Sequence, residues 1–375
     1  MNNLKSINPK NFKWFDYERY SFSLGLALDG SLYISGHSAS EYDAANKKIV
    51  VKGGMEEQVN TALDKIDCIL KAEGASLSDA THVIENVTIK GLDFYREYEK
   101  VKADRLPANI SQQLLVVDSL LRPDALIELE IRVERSIEHS KDSIITLPTL
   151  TASTSVDKND VVAQTQDIYE QADSILQKTG FELSDIVKTT DHITPQGLMD
   201  YKYTGRVRKE KLGPVYPGAT GILMTKVSKD NSLISINITA AKGEKKAINP
   251  GWERYQKLTY SPAVKCGNNL FMSGQASLDP ETEKAVYKDS IYEQSKYTYS
   301  NIIKVLEAAD MSPKNLIKTI EYVTPTGLKD YRSTSSVRLE LLSEPYPAST
   351  GIVCHSLLRP EFLIEIDPFA KVFDV

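Results

Sequence analysis

The sequence predicts an α+β fold made of three tandem copies of one unit, each a mixed β-sheet with helices on one face. The phrase DSLLRPDALIELE at residues 118–130 returns as HSLLRPEFLIEID at residues 355–367. A helical pattern that follows a glutamine occurs three times, at Gln58, Gln164 and Gln294, with spacings of 106 and 130 residues. Self-similarity at long fixed offsets indicates repeated structural units, so the chain contains two clear copies and a more divergent middle one.

Each copy has the same predicted order: strands, helix, strand, helix and two final strands. Short apolar runs such as SLYISG (31–36) and NLFMSG (269–274) predict first strands. The next helix carries an apolar stripe with the spacing of a core-facing surface, at Val59, Ala62, Leu63, Ile66 and Leu70. Gly74 and Gly180 follow two of these helices where a left-handed cap is expected, and Asp310 takes that place in the third copy.

The final strand of each copy has two different faces, because side chains alternate along a strand. One face is apolar and should be covered by the helices; it holds Ile127, Leu129 and Ile131 in the first copy and Phe362, Ile364 and Ile366 in the third. The opposite face mixes apolar and acidic residues; it holds Leu126, Glu128 and Glu130, and Leu363, Glu365 and Asp367. We expect this second face to be buried against the other two sheets.

The predicted domains are residues 1–136, 137–243 and 244–375, with KGEKK at 242–246 interpreted as a linker. A net charge of −6 without a basic cluster argues against a nucleic-acid partner. Three distant cysteines predict neither a disulfide framework nor a zinc site, and no metal or cofactor is expected. With no apolar leader and no 18-residue apolar run, we expect a cytoplasmic protein without membrane contact.

The third copy resembles the RidA (YjgF) family of enamine and imine deaminases. The motifs that carry the resemblance occur in the family's order: MSGQ (272–275), EQ (293–294), NIIKVLEAAD (301–310), LIKTIEYV (316–323) and PAST…LLRPEFLIEID (347–367). The first copy matches from ISGH to LIELE. The resemblance implies RidA-like, chorismate-mutase-like domains that form an intramolecular pseudo-trimer, with a small-molecule site in each cleft between units and further self-association possible.

The resemblance also implies a site. In the family, a glutamate positions or activates the water that hydrolyses a C=N bond, and an arginine binds the substrate carboxylate. The glutamate position corresponds to Glu128, Ser235 and Glu365, so the middle copy has lost it. The arginine position corresponds to Gln112, Ala219 and Ser349, so no copy keeps the arginine.

Several other side chains are candidate substrate-binding groups, some of them with a structural alternative. These candidates are Ser349, Thr350, Gln112, Gln113, Gln275, His37 and Arg359, with Arg122 and Thr220 at equivalent places in other copies. Arg122 and Arg359 could replace the lost arginine or be solvated turn residues, and His37 could line a cleft or be structural. Glu128 and Glu365 could be catalytic or could form interface ion pairs. Cys354 and His355 are adjacent in a strand, so their side chains should point apart and not form a nucleophilic pair.

Two interpretations of function follow. The first is a hydrolase or deaminase acting on a small imine, enamine or related C–N compound, with Glu365 or Glu128 as the catalytic residue. The second is a non-catalytic small-molecule binder or scaffold that kept the clefts and lost the chemistry. Ribonuclease activity is disfavoured by the acidic charge, and a resemblance to chorismatases is disfavoured by the three copies.

Overall fold

The computed structural model describes residues 4–134 and 143–373. We call residues 4–134 the first segment, 143–243 the middle segment and 244–373 the last segment. The predicted boundary at residues 136 and 137 lies outside the described residues. Among the residues described, no helix is both long and apolar enough to span a membrane.

The first segment is a mixed sheet with helices on one face. Its strands are β1 (Lys5–Ser6), β2 (Gly25–Leu28), β3 (Ser31–Ile34), β4 (His37–Ser38), β5 (Ser40–Asp43), β6 (Lys48–Val51), β7 (His82–Thr88), β8 (Ser111–Val117), β9 (Ser119–Leu120) and β10 (Ile127–Val133). Its helices are α1 (Met55–Lys71), α2 (Ile89–Leu92) and α3 (Tyr95–Arg105). The strand order is β1-β2-β3-β10-β7-β8, with β4 also on β10, and only β7 and β8 are parallel within it.

The middle segment has fewer strands before its first helix than the other two segments. Its strands are β11 (Ile144–Thr146), β12 (Leu150–Thr151), β13 (Ile186–Ile193), β14 (Gly218–Leu223) and β15 (Ile234–Ala241). Its helices are α4 (Val161–Lys178), α5 (Pro195–Tyr201) and α6 (Gly205–Leu212). Strands β11 and β12 pair with β15 in the same way that β3 and β4 pair with β10 in the first segment. Among the described residues of the middle segment, no strands correspond to β1 and β2. The predicted order of strands, helix, strand, helix and two final strands is nevertheless present in this segment.

The last segment repeats the architecture of the first. Its strands are β16 (Lys245–Ile248), β17 (Ala263–Cys266), β18 (Asn269–Met272), β19 (Gln275–Ala276), β20 (Leu316–Val323), β21 (Ala348–Val353), β22 (Ser356–Leu357) and β23 (Ile364–Lys371). Its helices are α7 (Ile291–Ala308), α8 (Pro325–Leu328) and α9 (Thr334–Leu341). Part of the predicted linker, from Lys245 onward, pairs with β17 as β16 and so belongs to the sheet.

The helices cover the apolar face of each sheet, as the strand pattern predicted. Ile127, Leu129 and Ile131 pack under α1, and Ile364 and Ile366 pack under α7, in separate buried cores. Phe362 was wrongly assigned to this face, and Leu126 and Leu363, which pack on the helix side, were wrongly assigned to the opposite one. Phe362 precedes β23, where strict alternation does not apply, and it packs on the opposite side. Gly74, Gly180 and Asp310 all have positive φ at the ends of their helices, which confirms the predicted caps.

The opposite faces of the three sheets meet one another. One buried apolar cluster draws on all three segments; it includes Leu115, Leu120, Ile222, Met224, Ile352 and Phe362. Strands also cross between segments, since β9 of the first pairs with β21 of the last, and β22 of the last pairs with β14 of the middle. The acidic residues on these faces therefore lie at contacts between segments.

Candidate functional site

The register of the sheets brings the predicted glutamate position to the same place in each segment. Glu128 on β10 lies opposite Ser38 and Asn86, and Glu365 on β23 lies opposite Ala276 and Tyr322. Ser235 on β15 lies opposite Thr151 and His192, which are the matching neighbours in the middle segment. The sequence-based correspondence between Glu128, Ser235 and Glu365 therefore agrees with the strand pairing.

Glu128 lies where the first and last segments meet, at the place where a cleft was predicted; we call this place the Glu128 cleft. The N–H of Gly36 donates to Thr350 Oγ1 (3.1 Å) and to the carbonyl of Ser349 (3.3 Å). A methyl group on Gly36 would collide with Glu128 Oε1 and lie 2.8 Å from Thr350 Cγ2. The glycine is therefore required for the close approach of the carboxylate and the threonine.

Glu365 lies in a second cleft with the same construction, between the last and middle segments; we call it the Glu365 cleft. Gly274 N–H donates to Thr220 Oγ1 (2.9 Å) and to the carbonyl of Ala219 (3.2 Å). A methyl group on Gly274 would collide with Glu365 Oε1. Ser349 and Thr350, which the sequence grouped with both glutamates, therefore accompany Glu128, and Ala219 and Thr220 take their places beside Glu365.

Both carboxylates are buried and unpaired. Glu128 is 9% exposed and Glu365 is 8% exposed. Burial raises the pKa of Glu128 to about 7, and the charges of Lys65 and Arg122 oppose that rise. Burial raises the pKa of Glu365 to about 8, with Asp367 adding to the rise and Lys188 opposing it. Within the described part of the chain, neither carboxylate has a hydrogen bond or an ion pair.

The ion pairs between segments are formed two residues further along the same strands. Lys318 of the last segment pairs with Glu130, and Lys188 of the middle segment pairs with Asp367 at 2.5 Å. The interface role considered for Glu128 and Glu365 is thus taken by these neighbours. Glu128 and Glu365 remain available for proton transfer, and their pKa values lie close to neutral pH.

Gln112 and Gln113 lie at a third interface, between the first and middle segments. Their strand positions match Ser349 and Thr350, because β8 pairs with β7 as β21 pairs with β20. Gln112 accepts from Lys102 Nζ (2.6 Å), and Gln113 donates to the carbonyl of Leu147 (3.1 Å). The glutamate position at this interface is Ser235, so these two glutamines do not accompany either acid.

His37 and Gln275 directly follow the cleft glycines, but both bond within their own segments. His37 Nε2 lies 3.3 Å from the carbonyl of Leu24, and burial lowers its pKa to about 3, so the ring is neutral. Gln275 donates to the carbonyl of Ser273 (3.3 Å). These contacts favour the structural interpretation of both residues.

The two turn arginines differ in their surroundings. Arg359 donates to the carbonyl of Glu283 (2.7 Å) on an exposed surface. Arg122 is half-buried; burial lowers its pKa, and Tyr20, Arg332 and Glu128 are the charges that act on it. Arg122 therefore belongs to the surroundings of Glu128, whereas Arg359 is bound to a neighbouring loop.

Cys354 and His355 do not form a pair. The thiol of Cys354 is in the buried apolar cluster between segments, where burial raises its pKa. His355 is exposed, and its Nδ1 lies 3.0 Å from Thr225 Oγ1. The predicted opposite directions of these adjacent side chains agree with these surroundings.

Sequence reasoning missed Lys65, Arg254 and Tyr260. Lys65 is fully buried and donates to the carbonyls of Ser38 (2.7 Å) and Ser40, and burial lowers its pKa to about 7. Tyr260 is half-buried, and burial raises its pKa, with Arg254 opposing that rise and the charge of Glu365 adding to it. For Lys65 the sequence did contain a signal. The repeat offsets of 106 and 130 residues lead from Lys65 to Gln171 and then to Asn301, so all three copies have a polar residue at this position of the helix.

Gln171 and Asn301 each donate to a backbone carbonyl as Lys65 does, to Thr151 (3.0 Å) and Leu278 (3.2 Å) respectively. A polar donor at this helical position is therefore a shared structural feature, and only the first segment places a charge there. For Arg254 and Tyr260 no periodicity or repeat in the sequence gave a signal.

Comparisons with known proteins agree with the motifs. The family model described as endoribonuclease L-PSP matches residues 17–135 and 254–372. A RutC family protein of Pyrococcus horikoshii is 36% identical over 111 residues, which are 30% of this chain and 85% of the relative. The chloroplastic Reactive Intermediate Deaminase A of Arabidopsis thaliana is 25% identical over 121 residues, covering 32% of this chain and 63% of that protein.

Solved structures of similar proteins cover about one segment. The crystal structure of RidA from an Antarctic Psychrobacter is 32% identical and covers 30% of this chain and 89% of that one, with a TM-score of 0.28. A structure titled as an endoribonuclease L-PSP from Entamoeba histolytica is 26% identical and covers 34% and 100%, with a TM-score of 0.31. The chain belongs to the endoribonuclease L-PSP family, which is the RidA/YjgF family that its motifs resemble.

Proposed function

We propose that the protein is a hydrolase of the imine and enamine deaminase type, with catalytic sites in the Glu128 and Glu365 clefts. The observation that carries this proposal is the pair of buried carboxylates that have no partner within residues 4–134 and 143–373, although their strand neighbours Glu130 and Asp367 are ion-paired. An unpaired buried carboxylate costs stability, which makes such a group a candidate for a functional role. Family membership supports the reaction class.

The chemistry follows from a carboxyl group with a pKa near neutrality. In its acid form, Glu128 or Glu365 gives a proton to the nitrogen of a C=N bond, which makes the carbon more electrophilic. As a carboxylate, it then accepts a proton from the water that attacks that carbon. Return of this proton to the nitrogen of the carbinolamine makes the amine a leaving group; as the C–N bond breaks, the carboxylate takes the hydroxyl proton, which leaves a carbonyl product, releases ammonia or an amine and restores the acid form of the glutamate. General acid and base catalysis of this kind contributes about 10²–10⁴-fold.

We propose further that the middle segment is a third, degenerate copy and that the chain is an intramolecular pseudo-trimer. The matching positions of Glu128, Ser235 and Glu365 support this arrangement, as does the apolar cluster shared by three segments. Ser235 lacks the basicity of a carboxylate, so the third interface is expected to be inactive. Small-angle scattering should give a compact particle; three separated domains would contradict the arrangement.

The preferred substrate should be uncharged or should not depend on a carboxylate. The family's arginine position is Ser349 in the Glu128 cleft and Ala219 in the Glu365 cleft, so neither offers a charged partner there. Loss of one charge-assisted hydrogen bond weakens binding by about 10–150-fold. We therefore expect faster hydrolysis of an uncharged alkyl imine than of a 2-imino acid.

The test compares the two substrates at equal concentration with the wild-type chain. Efficient hydrolysis of the 2-imino acid would contradict the substrate prediction and would indicate another cation. Arg122→Ala and Arg359→Ala then identify that cation, and the contacts above favour Arg122, with Arg359 as the matched control from the equivalent turn.

The alternative is a non-catalytic binder that has kept the clefts. Loss of the family's arginine, replaced by Gln112, Ala219 and Ser349, favours it. Tight imine or amine binding without turnover would support this alternative.

A further inference from the structure

The turn before the final strand of each segment carries a cation six residues ahead of the glutamate position. These cations are Arg122, Lys229 and Arg359. Lys229 donates to the carbonyl of Ala152, and Arg359 donates to the carbonyl of Glu283. Among the residues that the structure describes, Arg122 forms neither a hydrogen bond nor an ion pair. The first segment therefore leaves its turn cation available to bind another group.

Arg122 faces the Glu128 cleft. Strand β9 pairs with β21, and the residue after β9, Leu121, lies against Gly351 and packs on the core of the last segment. The next residue is Arg122, which is half-buried and precedes Pro123, a position that favours an extended backbone. The charges of Arg122 and Glu128 act on each other. The guanidinium group therefore lies near the carboxylate without pairing with it.

A second arginine reaches Arg122 from the last segment. A methyl group on Gly351 would lie 2.9 Å from Leu121 Cγ and 3.1 Å from Tyr331 Oη, so these two residues meet at the glycine. The residues that follow them, Arg122 and Arg332, come from different segments, and the charge of Arg332 acts on Arg122. Arg332 is exposed and, within the described ranges, has no hydrogen bond or ion pair. The outer edge of the Glu128 cleft therefore holds two like charges.

The Glu365 cleft has cations at the same two positions, but both have other contacts. Its turn cation, Arg359, is bound to a backbone carbonyl. The residue that matches Arg332 at the 130-residue offset is Lys202, whose Nζ lies 4.8 Å from the ring centroid of Tyr203. The two clefts therefore differ in the positive charge that they offer to a substrate.

An oxyanion between two arginines removes their repulsion and accepts charge-assisted hydrogen bonds from both. We propose that Arg122 and Arg332 bind a carboxylate or phosphate group at the far end of the substrate of the Glu128 cleft. A 2-imino acid does not place its charge there, because its carboxylate is on the carbon that water attacks, beside the buried Glu128. As a statement about substrates, this inference rests on the hydrolase activity proposed above and assigns a substrate class to one of its two clefts.

The first test measures anion binding without turnover. It is calorimetric titration of the full chain with pentanoate and with butyl phosphate, and uncharged pentanamide is the matched control. We expect at least one of the two anions to bind at least about tenfold more tightly than pentanamide. Arg122→Gln and Arg332→Gln should each remove this difference, whereas Arg359→Gln, from the equivalent turn, should keep the wild-type affinity.

Two results of this titration would overturn the proposal. One is that neither anion binds more tightly than pentanamide at concentrations up to about 10 mM. The other is anion binding that persists in Arg122→Gln, because the anion would then lie elsewhere on the protein. The oxyanion that loses more affinity in Arg122→Gln identifies the preferred group.

The second test uses the Glu365→Gln variant, in which the Glu128 cleft alone keeps its carboxylate. It compares two imines of methylamine, formed with 6-oxohexanoate and with its methyl ester, which differ in the charge of the far end. We expect at least about tenfold higher kcat/KM for the carboxylate. Arg122→Gln should raise KM for this imine and leave its kcat and the ester unchanged, because the arginine contacts no reacting atom. A lower kcat for both imines would indicate a structural role and contradict the proposal.

The two tests separate this inference from the hydrolase activity. Hydrolysis of the ester imine with no advantage for the carboxylate would overturn this inference alone. Anion binding that depends on Arg122, with hydrolysis of neither imine, would overturn the hydrolase activity and support the anion site.

Discussion

Replacing Glu365 with glutamine should stabilise the protein at high pH and have no effect at low pH. Burial raises the pKa of Glu365 from 4.5 to about 8. Between pH 4.5 and about 8, the folded state therefore keeps a proton on Glu365 that the unfolded state has lost. Stability therefore falls as pH rises from about 4.5 to about 8, and glutamine removes that loss. The shift corresponds to at most about 5 kcal/mol, and relaxation around a buried charge should reduce the gain to about 2–3 kcal/mol.

The assay is the unfolding temperature of wild type and Glu365→Gln at pH 4, 7 and 9. The expected difference is near zero at pH 4 and largest at pH 9, by several degrees. Exposed Glu244 provides a control, since Glu244→Gln removes the same charge from the surface. Destabilisation of Glu365→Gln at pH 9 would refute the reasoning, because it would mean that the carboxylate is ionised and paired.

Three further predictions concern residues around the clefts. Lys65→Gln should fold and should shift the pH profile of any activity from Glu128 upward, since Lys65 opposes the rise in the pKa of Glu128; an unchanged profile would remove Lys65 from that role. Asp367→Asn should lower the free energy of unfolding by about 3–5 kcal/mol, because Lys188 stays buried without its carboxylate partner. A smaller loss in an Asp367→Asn/Lys188→Met double variant would confirm the pairing. Gly274→Ala should lower the activity of the Glu365 cleft alone, because the added methyl group collides with Glu365. Combining it with Glu128→Gln should therefore abolish activity, whereas combining it with Glu365→Gln should have no further effect.

The helix-covered face was predictable because it follows from a short-range pattern, whereas the glutamate positions came from the family resemblance. Alternation along β10 and β23 placed Glu128 and Glu365 on the face opposite the helices, and strand pairing agrees. The caps at Gly74 and Gly180 were predictable for a similar reason, since a left-handed residue after a helix favours glycine.

Other features depend on contacts between distant parts of the chain. The pairing of Glu130 with Lys318 joins residues from two segments, so no local pattern distinguished it from a pairing of Glu128. The assignment of Thr350 to Glu128 and of Thr220 to Glu365 likewise requires the arrangement of the segments. Burial of Lys65 arises because strands β4 and β5 cover it with their carbonyls.

The most direct test of the proposed mechanism is hydrolysis of an uncharged alkyl imine by the Glu128→Gln/Glu365→Gln double variant. Glutamine keeps the size and hydrogen bonding of glutamate and removes its ability to exchange a proton, so the fold should be retained. We predict that wild type accelerates hydrolysis, that each single variant keeps the activity of the other cleft, and that the double variant loses at least about tenfold in turnover. Full activity in the double variant would contradict the mechanism, as would a wild type that binds imines without accelerating their hydrolysis.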